Sequence, residues 1–245
     1  MGRLTEAIKH LLIINVLFFL ATQLYGDQMY QWFSLWFPKN ENFALWQILS
    51  HMFMHGSVMH IVFNMYALWA FGSPLERMWG RNKFLFFYFS AGLGAAFLHI
   101  GANYYFFNEG LQALVNSGIS ETRVIEIISN GQYSPDWYDI VGQGKVDGFL
   151  SAYNTPAVGA SGAVYGVLVA FAFLFPQAEL MLIFLPVPIK AKYFVPLIIL
   201  SDVIFGISGT NTGIAHFAHI GGALIGFVMM WYWKKNQFDQ NRWDS

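Results

Sequence analysis

Long apolar runs, separated by short polar segments, dominate the chain. Six runs have the length of about 17 to 25 residues that a helix needs to cross the hydrocarbon core of a bilayer, and the fifth is the shortest. They cover residues 7–25, 57–74, 84–107, 159–176, 193–208 and 213–233. The pattern predicts an all-α membrane protein built as a bundle of six transmembrane helices.

The composition also indicates a membrane protein. Hydrophobic residues make up 56% of the 245 positions and charged residues only 11%, whereas soluble domains carry about 25% charged residues. No linker-like segment separates the runs, so we predict a single domain over residues 1–245 with an outer-loop insertion at about 108–158. The absence of cysteine excludes disulfides and thiol catalysis, and the net charge of −1 gives no indication of a nucleic-acid partner.

Lysine and arginine determine the predicted orientation, because they concentrate in the cytoplasmic loops of membrane proteins. With the N-terminus inside, ten of these residues are cytoplasmic and three are outside. The ten are Arg3, Lys9, Arg77, Arg81, Lys83, Lys190, Lys192, Lys234, Lys235 and Arg242, and the three are Lys39, Arg123 and Lys145. Both termini are therefore predicted to be cytoplasmic. The segment LPVPIKAKYF, which contains Lys190 and Lys192, is predicted to be a basic, proline-rich cytoplasmic turn.

The third outer loop, at about 108–158, is long for a compact bundle. Within it, SETRVIEIISNG has the pattern of a short amphipathic helix that opens near Ser120 and stops at Asn130–Gly131. The segment SPDWYD has the composition of a turn. A lid or docking surface is one interpretation of the loop, and a solvated insertion is the simpler one that we favour.

Polar residues inside predicted spans are informative because they are costly in hydrocarbon and tend to face a bundle interior or a cavity. The second span, in HMFMHGSVMHIVFNMY, has Ser57 as a predicted N-cap, followed by His60 and Asn64, which lie four residues apart on one helix face. His51 and His55 have the spacing of metal ligands, but no H-E-x-x-H motif or neighbouring acid accompanies them. We therefore do not predict a metal site.

Three predicted spans bring polar side chains to one level of the membrane. Ser161 lies in the first turn of the fourth span, and His219 lies within the first two turns of the sixth. Because the second, fourth and sixth spans all run from outside to inside, these residues share the outer third of the bilayer with His60 and Asn64. A hydroxyl, an imidazole and further hydrogen-bond donors are the components of acyl transfer: a nucleophile, a general base and an oxyanion site.

The residues around Ser161 suit a nucleophile. Gly159, Ala160 and Gly162 keep bulk away from the hydroxyl, and a helix N-terminus presents free backbone N–H groups to a developing negative charge. The segment lacks the second glycine of the G-x-S-x-G elbow and follows no obvious strand. A soluble α/β-hydrolase is therefore not predicted.

Three motifs together resemble the rhomboid family of intramembrane serine proteases: HGSVMHIVFN in the second span, GASG at the start of the fourth and AHIGGALIG in the sixth. They occur in the family's order and cover the six-helix core, residues 8–233. The resemblance implies that Ser161 is the nucleophile, that His219 is its base in a Ser–His dyad, and that His60 and Asn64 donate to the oxyanion. It also implies hydrolysis of peptide bonds in or near the transmembrane segments of membrane proteins, through an acyl-enzyme and without a cofactor.

The resemblance gives supporting roles to residues near the dyad. Tyr165, one turn after the serine, matches the family's tyrosine that packs against the catalytic imidazole. Gly222 and Gly226 match the glycines that let the sixth helix lie close to the fourth, and their G-x-x-x-G spacing permits close backbone contact. A helix dimerisation face is the alternative for these two glycines, and a homo-oligomer stays open.

Three further polar residues lie near the motifs. His55 and His216 are predicted to be structural hydrogen-bonding residues near the mouth of the site. His55 is also predicted to support the active site. Asp202 is the only charged residue well inside a predicted span. It could orient His219 as the third member of a triad, but the resemblance implies a dyad, so we favour a structural or gating role for Asp202.

Two other functional classes fit the sequence less well than a peptidase. An inactive rhomboid-like protein that binds or chaperones client transmembrane helices would normally lack Ser161 or His219, and both are present. A transporter or channel would line a path through the whole bilayer with polar residues, whereas these cluster in its outer third. The sequence predicts an intramembrane serine endopeptidase of a bacterial-type inner membrane. Its active site opens to the periplasmic side, and its partners are transmembrane substrates and the lipid bilayer.

Overall fold

A computed structural model describes residues 4–182, 185–208 and 214–240. The helices, in chain order, are α1 (Glu6–Tyr25), α2 (Asp27–Phe33), α3 (Gln47–Ser50), α4 (Val58–Ala67), α5 (Ser73–Trp79), α6 (Arg81–Asn116), α7 (Glu121–Ser129), α8 (Asp136–Val141), α9 (Gln143–Asn154), α10 (Ser161–Leu174), α11 (Ala191–Ser208) and α12 (His216–Gln240). A 3₁₀ turn at His51–Phe53 follows α3, and a π-helical segment at Leu68–Gly72 joins α4 to α5. Arg3, Arg242 and residue 213, where the sixth predicted span begins, lie outside the described residues.

Each of the six predicted spans coincides with a helical segment. Within the described residues, four segments are long and apolar enough to cross a membrane: α1, the run from α4 to α5 (Val58–Trp79), α6 and α11. The α10 helix, with 14 residues, is a shorter apolar helix, and α12 covers the sixth predicted span. The chain is therefore a mostly helical, multi-pass membrane protein.

A small β-hairpin lies between α10 and α11. Strand β1 (Glu179–Leu182) pairs antiparallel with strand β2 (Leu185–Lys190), and Glu179 lies opposite Lys190. The predictions of an all-α fold and of a turn at LPVPIKAKYF are wrong at this point. The prolines gave a misleading signal because both strands are edge strands, where a missing N–H is tolerated.

The segment after the third predicted span folds into a helical unit, which we call the outer cap (residues 107–154). The α6 helix continues beyond its predicted end at residue 107. The α7 helix starts directly after Ser120 and ends at Ser129, in agreement with the prediction. The predicted turn at SPDWYD is wrong, because α8 begins within it at Asp136, and α9 was not predicted.

An apolar core of its own stabilises the outer cap. The α9 helix packs on α6 so closely that a Cβ atom built at Gly110 would lie 2.4 Å from the Cβ of Phe149. The buried side chains of this core are Phe107, Leu111, Leu114, Val124, Ile128, Trp137, Val146, Phe149, Ala152 and Tyr153, and Phe37 from the segment between α2 and α3 joins them. The outer cap is therefore a packed unit and not an extended solvated loop.

Backbone hydrogen bonds fix the segment that leads into α10. Leu35 and Ala157 exchange both N–H···O bonds at 2.9 Å, and the N–H of Gly159 donates to the carbonyl of His51 at 2.9 Å. The side chain of Gln47 is fully buried and bonds to several backbone groups of the first outer loop, residues 26–56. The first outer loop therefore supports the residues just ahead of Ser161.

Glu76 of α5 connects α5 to the start of α1. Its buried carboxylate accepts hydrogen bonds from the backbone N–H groups of Ala7 at 2.7 Å and Ile8 at 3.0 Å, and from the hydroxyl of Thr5. A carboxylate at a helix N-terminus satisfies donors that have no intrahelical partner and interacts favourably with the helix dipole. Glu76 is therefore a structural carboxylate.

The α10 and α12 helices touch through their backbones. A Cβ atom built at Gly222 would lie 1.8 Å from the carbonyl oxygen of Gly162, and one at Gly226 would lie 2.7 Å from the Cα of Gly166. Small residues permit such an approach, and any side chain would force the helices apart. This contact determines how close the N-terminal ends of the two helices lie.

Gly222→Ala is expected to destabilise the protein by about 1 to 3 kcal/mol, the range for overpacking a core. The added methyl group would collide with a backbone carbonyl, which cannot move without the α10 helix. Thermal unfolding of the purified protein in detergent, followed by circular dichroism, measures the change.

The matched control is Gly101→Ala in α6, where nothing lies within 4 Å of the added methyl group. This variant is expected to be as stable as the wild type or up to about 1 kcal/mol more stable, because alanine favours a helix. Equal melting temperatures for the two variants would contradict the role of the α10–α12 contact.

Candidate active site

Ser161 and His219 are in direct hydrogen-bonding contact. The Oγ atom of Ser161 lies 2.8 Å from Nε2 of His219. Ser161 is the first residue of α10, and His219 lies one turn into α12. The close approach of the two helices therefore brings a hydroxyl and an imidazole within the distance over which a proton is transferred.

Asp202 of α11 lies on the other side of the His219 ring. Its Oδ1 atom is 3.1 Å from Nδ1 of His219 and 2.5 Å from Nδ1 of His216. The residue is only 4% exposed. A buried charge is costly unless it is paired and hydrogen-bonded, and the two imidazole N–H groups supply those bonds.

Tyr165 covers one face of the His219 imidazole. The ring centroids are 4.1 Å apart and the planes differ by 13°, a stacked arrangement that limits rotation of the imidazole. Gly162 packs tightly on the neighbouring helices, because a Cβ there would lie 2.4 Å from the Cβ of Ala95 in α6 and 3.3 Å from the carbonyl oxygen of Ala218 in α12. Both the imidazole and the residue after the serine are thus held in place by packing.

His60 and Asn64 of α4 line the same cavity as Ser161. The helix begins as predicted, with the Ser57 hydroxyl accepting from the N–H of His60 at 3.2 Å. The N–H of Gly56 is directed at Nδ1 of His60 over 3.4 Å, so Nε2 carries the proton of the neutral ring and is a donor. The Asn64 amide donates one N–H to the carbonyl of His60 at 2.9 Å and has a second N–H to donate.

Gly159 lies between the His60 imidazole and the serine. Its φ of 122° is a conformation that residues with side chains rarely adopt, so the backbone here requires glycine. The Cβ position of Gly159 would lie 2.8 Å from Nε2 of His60 and 3.6 Å from Oγ of Ser161. A small space is thus bounded by the nucleophile on one side and a hydrogen-bond donor on the other.

His55 and His51 have structural contacts beside this space. His55 is fully buried, and its ring meets that of His60 edge to face with 4.9 Å between centroids. Nδ1 of His51 lies 2.8 Å from the carbonyl oxygen of Gln47 and donates to it. Burial lowers the pKa of His51 and of His55 to about 4, so both rings are neutral near pH 7. No group of three or more His, Cys, Asp or Glu side chains in the described ranges is arranged to hold a metal ion.

A cavity of about 780 Å³ connects these side chains to the outer cap. Its wall includes residues that the sequence analysis missed: His99 and Asn103 of α6, and Asp147 and Ser151 of α9. Nε2 of His99 and Nδ2 of Asn103 are 3.2 Å apart, and this polar pair within an apolar span was a signal that could have indicated them. No local signal marks α9, because only its packing on α6 brings it to the cavity.

The chain is similar to curated proteins from yeast, a plant and human. It is 26% identical over 191 residues to Rhomboid protein 1, mitochondrial, of Saccharomyces cerevisiae, which covers 77% of this chain and 42% of that protein. It is 26% identical over 235 residues to RHOMBOID-like protein 12, mitochondrial, of Arabidopsis thaliana, covering 95% and 60%. It is 28% identical over 187 residues to Presenilin-associated rhomboid-like protein, mitochondrial, of Homo sapiens, covering 76% and 36%. The chain therefore spans less than two thirds of the length of each relative.

The Rhomboid domain family matches residues 42–120 and 140–236. These two segments contain the α4, α10 and α11 helices, most of α12, and all of the residues around Ser161 described above. The residues between them, 121–139, hold α7 and the start of α8 in the outer cap. Because the match covers more than half of the chain and all of the site, the chain belongs to the rhomboid family.

Proposed function

We propose that this protein is an intramembrane serine endopeptidase that hydrolyses peptide bonds in or near the transmembrane segments of other membrane proteins. The observation that carries the proposal is the 2.8 Å contact between Ser161 Oγ and His219 Nε2 in a cavity. A nucleophilic serine needs a base within hydrogen-bonding reach, whereas a serine that only packs in a membrane helix does not. Membership of the rhomboid family supports the same reaction class.

In the proposed reaction, Oγ of Ser161 forms a bond to the scissile carbonyl carbon while Nε2 of His219 takes the hydroxyl proton. The tetrahedral intermediate then breaks its C–N bond, and the imidazolium gives its proton to the departing amine. This step leaves an ester on Ser161. A water molecule that transfers a proton to His219 then hydrolyses the ester and restores both side chains.

Donors around the nucleophile are proposed to stabilise the oxyanion. The backbone N–H groups in the first turn of α10 have no intrahelical acceptor, as at any helix start. The protonated Nε2 of His60 and the second N–H of Asn64 supply further donors on the facing helix. Preorganised donors of this kind stabilise negative charge that develops in the transition state.

We also propose six membrane-spanning segments, formed by α1, α4 with α5, α6, α10, α11 and α12, with both termini cytoplasmic. The excess of lysine and arginine on that side supports the orientation. Ser161 and His219 then lie near the outer, periplasmic face, on the side of the outer cap. The names of the three relatives describe mitochondrial proteins, so a bacterial-type inner membrane is proposed from the charge distribution alone.

The substrate is proposed to react in an unwound form, because an intact helix keeps its carbonyl groups hydrogen-bonded. Polar side chains of the cavity wall, including Asn103, Asp147 and Ser151, offer partners for a backbone that has left its helix.

A rhomboid-like protein that binds client helices without cleaving them is the alternative function. Such a protein has no need of a serine–imidazole contact, and we therefore favour the enzyme.

A fluorophosphonate probe is expected to label the purified wild type on Ser161, because an activated serine attacks phosphorus. Ser161→Ala removes the labelling, and His219→Ala lowers its rate by at least about 100-fold through loss of the base. Fluorescence of the labelled protein after gel electrophoresis measures both effects.

The matched control for the labelling is Ser201→Ala in α11, an apolar helix in which the Ser201 hydroxyl only donates to the carbonyl of Ile198. This variant is expected to label as the wild type does. Labelling that survives Ser161→Ala would contradict the assigned nucleophile. A folded wild type that is neither labelled nor cleaves a transmembrane substrate would support the client-binding alternative.

His60→Ala and Asn64→Ala are each expected to lower kcat for a transmembrane substrate by about 10² to 10³, the effect of removing one oxyanion donor. KM is expected to change little, because the lost bond forms in the transition state. Val62→Ala, on the exposed side of the same helix, is the control and keeps the wild-type kcat. Unchanged kcat in both histidine and asparagine variants would show that α4 takes no part in the chemistry.

A further inference from the structure

A chain of hydrogen bonds extends behind Ser161 across three helices. It runs from Ser161 Oγ to Nε2 of His219 at 2.8 Å, and from Nδ1 of the same ring to Oδ1 of Asp202 at 3.1 Å. Nδ1 of His216 lies 2.5 Å from that same Oδ1. Asp202 thus contacts the imidazole on the side opposite the serine.

We propose that Asp202 is a positioning residue, which accepts the Nδ1–H of His219 and so fixes this imidazole as the base for Ser161, giving a Ser–His–Asp triad. The inference rests on the proposed peptidase function and deepens it. It differs from the structural or gating role that the resemblance to a dyad family favoured for Asp202.

The proton positions follow from what each group is able to donate. A carboxylate only accepts hydrogen bonds, so the proton between Asp202 and His219 belongs to Nδ1. A neutral imidazole carries one proton, and Nε2 is therefore free to accept. The 2.8 Å contact must then be donated by the Ser161 hydroxyl, which is the direction that proton abstraction requires. Asp202 thus selects the reactive tautomer.

The charge of Asp202 also matters once the reaction has begun. His219 becomes an imidazolium when it takes the serine proton, and a cation is costly in a buried site. A carboxylate 3.1 Å from the ring offsets that cost through Coulomb attraction at close range. The same residue therefore favours the neutral base in the correct tautomer and then the charged form.

His216 supports this role without replacing it. Its N–H donates to the oxygen that His219 also contacts, so one carboxylate oxygen accepts from two imidazoles. This second donor helps to hold the Asp202 carboxylate in one place, because an oxygen with two directed bonds has little freedom to rotate. The Oδ1 atom is then fixed relative to the α12 helix, which also carries His219.

The ionisable groups that face Asp202 and His219 come from four helices. They are His216 on α12, Tyr165 on α10, His60 on α4 and His99 on α6. None of the four is a carboxylic acid, a lysine or an arginine. Asp147 of α9 also lines the cavity, but Asp202 is the carboxylate in hydrogen-bonding contact with His219, so its removal takes away the negative charge next to the imidazole.

The simpler explanation is that Asp202 only ties α11 to α12. Its contact with His216 alone would serve that purpose, and a purely structural acid would affect stability without altering the pH dependence of catalysis. The pH–rate profile therefore separates the two roles. Glu76 offers a matched comparison, because it is also a buried, hydrogen-bonded carboxylate but lies away from the site.

The experiment measures cleavage of a transmembrane substrate and fluorophosphonate labelling by the full chain, from mildly acidic to mildly alkaline pH. Asp202→Asn is expected to lower kcat/KM at neutral pH by about 10² to 10⁴, because an amide N–H can hold the unreactive tautomer. The midpoint of the acidic limb is expected to move to lower pH, because the imidazolium loses its anion. Asp202→Glu keeps the charge and is expected to recover part of the rate with the wild-type midpoint.

Glu76→Gln is the control, and it is expected to lower the melting temperature while leaving the pH–rate midpoint unchanged. If the wild type is active and Asp202→Asn is equally active with an unchanged pH–rate midpoint, the triad is overturned and the proposed peptidase function stands. A folded wild type without labelling or cleavage would instead overturn the proposed function beneath it.

If Asp202→Asn has no melting transition, His216→Leu decides the matter. Without the His216 N–H, the Asp202 carboxylate interacts more strongly with His219. The midpoint of the acidic limb of the pH–rate profile is therefore expected to move to higher pH. A midpoint that stays at the wild-type value would then overturn the triad.

Discussion

The backbone contact between α10 and α12 is the constraint on which the rest of the site depends. A serine and a histidine that are 58 residues apart in the chain come within hydrogen-bonding distance only if their helices touch. Glycine at 162, 166, 222 and 226 removes the side chains that would separate them. In a membrane, where lipid is as apolar as the helices, such close packing is itself a main source of helix association. The same contact therefore stabilises the bundle and assembles the chemistry.

Polar groups in the apolar bundle are tolerated because they bond to one another. Ser161, His219, Asp202 and His216 form one connected set of hydrogen bonds, in which Oδ1 of Asp202 accepts from both imidazoles. Networks of this kind are rigid when they are satisfied and costly when they are not. The two imidazoles stabilise the buried carboxylate, and the carboxylate in turn holds the two imidazoles in place. The cost of burying the charge is therefore linked to the orientation of the base.

Local signals in the sequence were sufficient for part of the structure. Apolar length predicted the helical spans, Ser57 marked the start of α4, and the pattern after Ser120 predicted α7. The β-hairpin and the α9 helix were not predicted, because pairing between strands and packing on α6 stabilise them. The α9 sequence QGKVDGFLSAYN contains glycines at 144 and 148, which weaken a helix in isolation. The sequence allowed a contact of Asp202 with His219 but did not favour it, since no spacing rule relates side chains on two different helices.

The α6 helix unites the two parts of the molecule that surround the cavity. Its 36 residues form one continuous helix, which corresponds to a length of about 54 Å. At Gly94 it packs against Ile225 of α12, and at Gly110 it packs against Phe149 of α9. One continuous helix thus packs against both the helix that holds the base and the outer-cap helix that lines the cavity. The α6 helix therefore links the two, and the outer cap belongs to the structure of the site although its sequence lies outside the motifs that indicated the site.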